Sequence, residues 1–139
     1  IKCQIPVSKN LAALYFTSDG TCGWAVGERG TILVTQDGAK TWTQQRSGTV
    51  KHLAAVHFAN KMSGWAVGRT DTILPTRDGG GAWEHQSTGS GRTLWGVFFL
   101  DHAETGWVVG DEGYVAMTEN GGATWVAQPN YTRKDFSAK

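Results

Sequence analysis

The most conspicuous carboxylates are Asp37 and Asp78, which recur at the same place in two similar segments. Each follows a threonine by two residues and is itself followed by glycine. A pair of carboxylates can act as general acid and base, but a catalytic site is needed once and not in every repeat. Asp followed by Gly is instead typical of a tight turn, where the carboxylate accepts backbone N–H groups and glycine supplies a positive φ. We therefore interpret both residues as turn builders and expect no catalytic site.

The histidines, glycines and cysteines lack the spacing typical of a metal site or a phosphate-binding loop. The histidines have neither HxH nor HExxH spacing; they are His52, His57, His85 and His102. The glycine run 79–81 does not open a helical pattern, which argues against a phosphate-binding loop. We therefore expect no metal and no cofactor. Cys3 and Cys22 lack a CxxC spacing, and either one disulfide or two unpaired thiols fits the sequence.

The composition narrows the class of protein. The chain has 139 residues, with 13 basic and 12 acidic side chains and a formal charge of +1. This near-neutral balance argues against a nucleic-acid-binding surface. The longest apolar run, 94–100, is far shorter than the roughly 20 residues of a membrane-spanning helix. With 19 glycines and seven tryptophans, the sequence indicates a turn-rich globular protein.

A repeat organises the whole sequence. GWAVG occurs at 23–27 and 64–68, and GWVVG at 106–110, so their tryptophans are spaced by 41 and 42 residues. A second set, Trp42, Trp83 and Trp125, has the same two spacings. Self-similarity at one period is the signature of a repeat architecture.

Each repeat contains four short strand patterns and no helical period. The first is almost continuously apolar, as in a strand covered on both faces, whereas the fourth turns polar after its tryptophan. Four strands in about 40–45 residues is the period of a β-propeller blade. We therefore predict an all-β propeller with three four-stranded antiparallel blades, at about 11–46, 53–87 and 94–129; a β-sandwich is the alternative. Pro75 lies within a third strand, where it predicts a bulge or an unpaired position.

The turn between the third and fourth strands carries the sharpest motif. It resembles the Asp-box, or bacterial neuraminidase repeat, Ser/Thr-x-Asp-x-Gly-x-x-Trp. The first copy has Ala39 in place of the glycine, and the third has Asn120 in place of the aspartate. The matching residues, expected to be structural, are Thr35, Asp37 and Trp42; Thr76, Asp78, Gly80 and Trp83; and Thr118, Asn120, Gly122 and Trp125.

The complete repeat is similar to that of the photosystem II stability and assembly factor family. That resemblance implies a non-enzymatic scaffold that binds another protein, on the lumenal or extracytoplasmic side of a membrane. Asp-box propellers also include sialidases and xyloglucan-degrading hydrolases, so a glycan-binding module or a remnant of such a hydrolase is the alternative. Sialidases use three arginines, a tyrosine–glutamate pair and an aspartate, and the arginines here show no recurrent placement on an inner strand.

The loops after the second strands are the candidate binding loops, because their charge differs from blade to blade on a regular scaffold. Trp95 is a further candidate, as a stacking platform, because the other repeats have Ala12 and Ala54 at its position. The loop residues concerned are Glu28, Arg29, Arg69, Asp111 and Glu112.

Three blades are too few to close a ring, since propellers typically have about 4–8. Residues 1–5 and 130–139 align with partial strands that flank the three blades. Either two copies associate head to tail into six blades or the chain is a fragment of a longer propeller. We favour the homodimer slightly.

Overall fold

The computed structural model describes residues 9–128, whose regular structure is almost entirely β-strand. The predicted flanking strands at 1–5 and 130–139, and any pairing of Cys3 with Cys22, lie outside the described residues. The strands are β1 (Leu11–Phe16), β2 (Gly23–Gly27), β3 (Ile32–Thr35), β4 (Thr43–Gln45), β5 (Leu53–Phe58), β6 (Gly64–Gly68), β7 (Thr72–Thr76), β8 (Leu94–Phe99), β9 (Gly106–Gly110), β10 (Tyr114–Thr118) and β11 (Val126–Ala127).

The strands form three antiparallel sheets, each joined in chain order. Blade 1 is β1–β2–β3–β4, blade 2 is β5–β6–β7, and blade 3 is β8–β9–β10–β11. Their first strands, β1, β5 and β8, lie beside one another, as the inner strands of a propeller do. The all-β propeller predicted from the repeat is therefore confirmed.

Blade 2 differs from the predicted four strands, because its outer strand is reduced to one bridge between Ile73 and Gln86. Pro75 supplies the physical reason. Its carbonyl oxygen accepts the Glu84 N–H at 2.8 Å, but proline has no N–H to donate in return. Pro75 stays in register with Trp65 on its other side, so the predicted unpaired position is found without a bulge between β6 and β7.

All three inner strands share a bulge near their start, which the sequence did not reveal. The register with the second strand shifts between Leu11 and Ala13, between Leu53 and Ala55, and between Leu94 and Gly96. The extra residues are Ala12, Ala54 and Trp95. A bulge changes the direction of the side chain on its extra residue. Trp95 is that residue in blade 3, so its direction is set by the bulge.

The core lies between consecutive blades. Every residue of β2, β3, β6 and β7 is buried, whereas β9 and β10 of blade 3 are buried only in part. The expectation that each first strand is covered on both faces is wrong for β1. Leu14 is 60% exposed, because one face of β1 packs beside blade 2 and the other has no neighbouring blade within residues 9–128.

The GWAVG motif is explained by close approach at both of its glycines. A Cβ on Gly23 would lie 2.6 Å from the Phe16 ring, and one on Gly110 would lie 2.6 Å from the Thr93 carbonyl oxygen. The first glycine therefore admits the aromatic ring that ends the inner strand. The last glycine lets the second strand pass close to the backbone entering that strand.

Candidate functional site

The candidate site is a cavity of about 230 Å³ at the end of the blades where the inner strands begin. We call it the mouth cavity. Its lining brings together three of the predicted residues, Glu28, Arg69 and Trp95, with His52 and the small side chains of Ala12 and Ala54. Trp95 of blade 3 thus shares one cavity with residues of blades 1 and 2, so the site depends on how the blades are arranged.

Tight turns between the second and third strands position the charged side chains. In blade 1 the Thr31 N–H donates to the Glu28 carbonyl oxygen at 3.0 Å. The two central residues, Arg29 and Gly30, have φ values of 55° and 75°. Two successive positive φ values define a type I′ turn, which suits the twist of a hairpin. Blades 2 and 3 repeat the pair of positive φ values, at Thr70 and Asp71 and at Glu112 and Gly113.

The turns also explain why the predicted arginines separate. Glu28, Arg69 and Asp111 each occupy the first position of a turn, whereas Arg29 and Glu112 occupy its tip. Arg69 lines the mouth cavity, while Arg29 lines a different groove together with Arg46. The site therefore has one arginine from the candidate loops.

Hydrogen bonds hold Glu28 in place. Its carboxylate accepts the backbone N–H of Asn10 at 2.9 Å and the side-chain amide of Asn10 at 3.2 Å. The Asn10 backbone bond is the main reason that the pKa of Glu28 is lowered. Next to it, the Arg29 backbone N–H donates to Nδ1 of His52 at 3.1 Å, which leaves the ring proton of neutral His52 on Nε2. His52 can therefore donate a hydrogen bond to a ligand in the cavity.

Trp95 is exposed and held from one side. Its side chain is 54% exposed, and its Nε1 donates to Oδ1 of Asp111 at 2.6 Å. Arg92 stabilises the turn that carries Asp111. Its Nη1 donates to the Asp111 carbonyl oxygen at 3.2 Å and to Glu112 Oε1 at 3.1 Å. This arrangement leaves an indole face open for stacking while its polar edge is already satisfied.

Arg69 is the cation of this site that has no ion-pair partner among the residues that the structure describes. The ion pairs among residues 9–128 are Lys61 with Asp19 and Arg92 with Glu112. The guanidinium of Arg69 carries five N–H donors that match a carboxylate. The mouth cavity therefore combines unused cationic donors with an aromatic face.

The box turns lie at the other end of the blades. Gly38 N donates to the Thr21 carbonyl oxygen at 3.0 Å, and Gly79 and Gly121 make the same bond to the loops of their own blades. In the first turn Thr35 Oγ1 donates to Asp37 Oδ1 at 2.8 Å and accepts the Ala39 N–H at 3.0 Å. Thr76 with Gly80 and Thr118 with Gly122 repeat this geometry. The box tryptophans pack edge-on against the phenylalanines that end the inner strands: Trp42 on Phe16, Trp83 on Phe58 and Trp125 on Phe99.

The aspartates of these turns are hydrogen-bond acceptors and take no part in the mouth cavity. Donation from the Thr41 hydroxyl, followed by the Thr41 N–H, lowers the pKa of Asp37 to about 2. The Ala82 N–H is the main cause of the lowered pKa of Asp78. In the third turn Asn120 Oδ1 accepts the Thr124 N–H at 3.0 Å, so an amide fills the same role.

Sequence reasoning missed Asn10, His52 and Asp71. The first two precede inner strands and share no residue type with the other repeats, so no motif marks them. Asp71 is 6% exposed and stands where blades 1 and 3 have Gly30 and Gly113, a departure that could have identified it.

Residues 9–128 contain no group of three or more His, Cys, Asp or Glu side chains placed to hold a metal ion. None of their helical segments is long and apolar enough to cross a membrane.

Several solved structures resemble this chain. YCF48 from Cyanidioschyzon merolae is 27% identical, with a TM-score of 0.83 over 98% of this chain and 42% of that one. YCF48 bound to D1 peptide is 24% identical, with a TM-score of 0.80 over 93% of this chain and 44% of that one. The GH74 xyloglucanase from Xanthomonas campestris is 14% identical, with a TM-score of 0.66 over 86% and 24%. The chain thus spans less than half the length of the YCF48 structures it matches.

No curated protein sequence matches the chain significantly. The model of the family described as photosynthesis system II assembly factor YCF48 matches twice, at residues 2–85 and 44–128. The two matches overlap and are offset by one repeat, as expected of a chain of similar blades. Together they span nearly the whole sequence, and the chain belongs to the YCF48 photosystem II assembly factor family.

Proposed function

We propose that this chain is a protein-binding propeller of the photosystem II assembly type that catalyses no reaction. Its site is the mouth cavity, and its ligand is an extended peptide segment of a partner protein. One observation carries the proposal: Arg69 and the open indole face of Trp95 line the same cavity. Arg69 has no ion-pair partner in residues 9–128, so its donors are available to a ligand.

The chemistry of the cavity favours a segment with a carboxylate beside an apolar side chain. Glu28 and Asp111 already accept hydrogen bonds, from Asn10 and from Trp95. Arg69 supplies donors that an incoming carboxylate matches in a bidentate geometry. An aromatic or proline side chain would stack on Trp95. A D1 peptide is the first probe, because a related YCF48 is known bound to one.

Calorimetric titration with D1 peptide tests this proposal. We expect Trp95→Ala to weaken binding about tenfold or more, as truncation of an aromatic anchor does. Arg69→Gln should weaken binding and reduce its salt dependence, because it removes one charge contact. Arg46→Gln, in the separate groove, is the matched control and should bind like the unaltered protein. Equal affinity of the Trp95, Arg69 and control variants would place the binding elsewhere.

Glycan binding is the second candidate function, favoured by the exposed Trp95 ring alone. A sugar ring can stack on an indole face, and the likeness to the xyloglucanase propeller concerns the fold only. A glycan array decides between the two functions. Binding that disappears in Trp95→Ala supports this candidate, and an array without signal rejects it.

A further inference from the structure

A second cavity, of about 440 Å³, lies at the end of the blades that carries the box turns. We call it the box-end cavity. The loops that follow β1 and β5 line it, and the same loops accept the box-turn N–H groups of their own blades. Blades 1 and 2 supply most of the lining, and blade 3 supplies one acidic residue. The side chains that matter for its chemistry are Tyr15, Thr17, Asp19, Lys61 and Asp101.

Contacts between blades 1 and 2 hold the walls of the box-end cavity. The Tyr15 ring of blade 1 meets the His57 ring of blade 2 edge-on, with centroids 5.0 Å apart. The Phe58 ring lies on the same side at 6.3 Å. Lys61 Nζ of blade 2 lies 3.2 Å from Asp19 Oδ2 of blade 1. The cavity is therefore formed where two described blades meet, and it does not involve the outer face of blade 1 or of blade 3.

The Asp19 carboxylate already has its partners. Its Oδ1 accepts the Thr17 hydroxyl at 2.7 Å, the Thr21 hydroxyl at 2.8 Å and the Thr21 N–H at 3.1 Å. The Thr17 bond is the main reason that the pKa of Asp19 lies far below its usual value. Because Lys61 balances this fixed negative charge, the pair adds no net charge to the cavity.

Asp101 is the charge that remains. It is exposed, lines the cavity and has no ion-pair partner within residues 9–128. The N–H groups of its own loop are used elsewhere, Ala103 N donating to the Leu100 carbonyl oxygen and Glu104 N to His102 Nδ1.

The nearby imidazole of His57 does not compensate Asp101 at neutral pH. Burial lowers the pKa of His57, so its ring is neutral there. Its Nε2 is also already 3.1 Å from the Phe99 carbonyl oxygen. The box-end cavity therefore has one uncompensated negative charge beside the half-buried ring of Tyr15.

We propose that the box-end cavity binds an arginine side chain of a partner protein, with the guanidinium on Asp101 and against the Tyr15 ring. A guanidinium donates two parallel N–H bonds to one carboxylate, and its flat face is attracted to an aromatic ring. An ammonium is a point charge without this planar match. The site is separate from the mouth cavity, and the proposal does not rest on peptide binding there.

Titration of the ¹⁵N-labelled chain with the blocked tripeptide acetyl-Gly-Arg-Gly-amide at pH 7.5 tests the proposal by nuclear magnetic resonance. We expect saturable shifts of the backbone amides of Lys61 and Asp101. The same tripeptide with citrulline in place of arginine has nearly the same shape but no charge. It should bind about tenfold more weakly or less, because charge-assisted hydrogen bonds are roughly twice as strong as neutral ones.

Two variants with the same change in net charge complete the experiment. Asp101→Asn should raise the dissociation constant of the arginine peptide about tenfold or more. Glu104→Gln is the matched control, because it removes an exposed carboxylate of the same loop that does not line the cavity, and it should bind like the unaltered chain. The spectrum of each variant also establishes that it is folded.

The proposal is overturned if the arginine peptide causes no saturable shift, or if the citrulline peptide binds equally well. It is also overturned if Asp101→Asn keeps the full affinity. An equal loss in Glu104→Gln would overturn it too, since the effect would then reflect net charge and not this cavity.

Discussion

Asp71 shows how one buried side chain organises a loop between blades. Its carboxylate accepts the Thr88 N–H at 3.0 Å, the Thr88 hydroxyl at 2.8 Å, the Gly89 N–H at 2.8 Å and the Gly91 N–H at 3.2 Å. Asp71→Ala leaves these donors without an acceptor, and we expect it to cost about 2–4 kcal/mol of unfolding free energy. Urea unfolding measures that loss. Asp71→Asn keeps one acceptor oxygen and should cost less, and an Ala variant as stable as the unaltered protein would contradict the role.

Asp37 and Asp78 make the stability depend on acid pH. Both pKa values are lowered in the folded state, that of Asp37 to about 2, so the folded protein holds these protons less readily than the unfolded chain. Their contribution is complete above the usual Asp pKa of about 3.9 and is lost as the pH falls towards about 2. Urea midpoints between pH 7 and pH 2 should therefore fall less steeply in the double variant Asp37→Asn/Asp78→Asn. An equally steep fall in both proteins would exclude these carboxylates as its source.

Pro75 determines how far the outer strand of blade 2 extends. Pro75→Val restores an N–H that can donate to the Glu84 carbonyl oxygen, so the single Ile73–Gln86 bridge should extend into a strand. Hydrogen exchange is the direct measurement, and the amides of residues 84 and 86 should become more protected. The equivalent amides of blade 1, at Thr43 and Gln45, serve as the internal reference for a full strand. Unchanged protection would mean that something other than the missing donor shortens this strand.

Among the elements, the repeat predicted well what is common to all blades. The period, the antiparallel strands and the positions of the turns follow from residues that recur three times. The bulge at Ala12, Ala54 and Trp95 could not be predicted, because it depends on the register between two strands and has no fixed residue type. The repeated Gln45, Gln86 and Gln128 were visible in the sequence, but polar residues on a fourth strand indicated a solvent-facing edge. The contacts of Gln45 with Gly80 and of Gln86 with Gly122, both in the following blade, needed the structure.

At the scale of the whole molecule, the two ends of the blades are built differently. The box turns bind their own backbone, and those of blades 2 and 3 contact the preceding blade, so their repetition serves the architecture. The mouth cavity is assembled from residues that differ between blades: Glu28, Arg69 and Trp95. Only the packing of three blades brings these side chains into one cavity. The sequence could predict each residue, but not that the three lie together. Arg29 was predicted from the same argument, but it lies in another groove because it is at the tip of its turn.

Nuclear magnetic resonance of the Trp95 indole N–H tests most directly whether the mouth cavity binds peptide. That resonance is assigned by its disappearance in Trp95→Ala, and its position is followed while D1 peptide is added. We predict a saturable shift of the Trp95 signal, weakened in Arg69→Gln, with little change for Trp24 and Trp65, which are buried between blades. A Trp95 signal that stays in place while the peptide binds, or a peptide that does not bind at all, would contradict the proposed function.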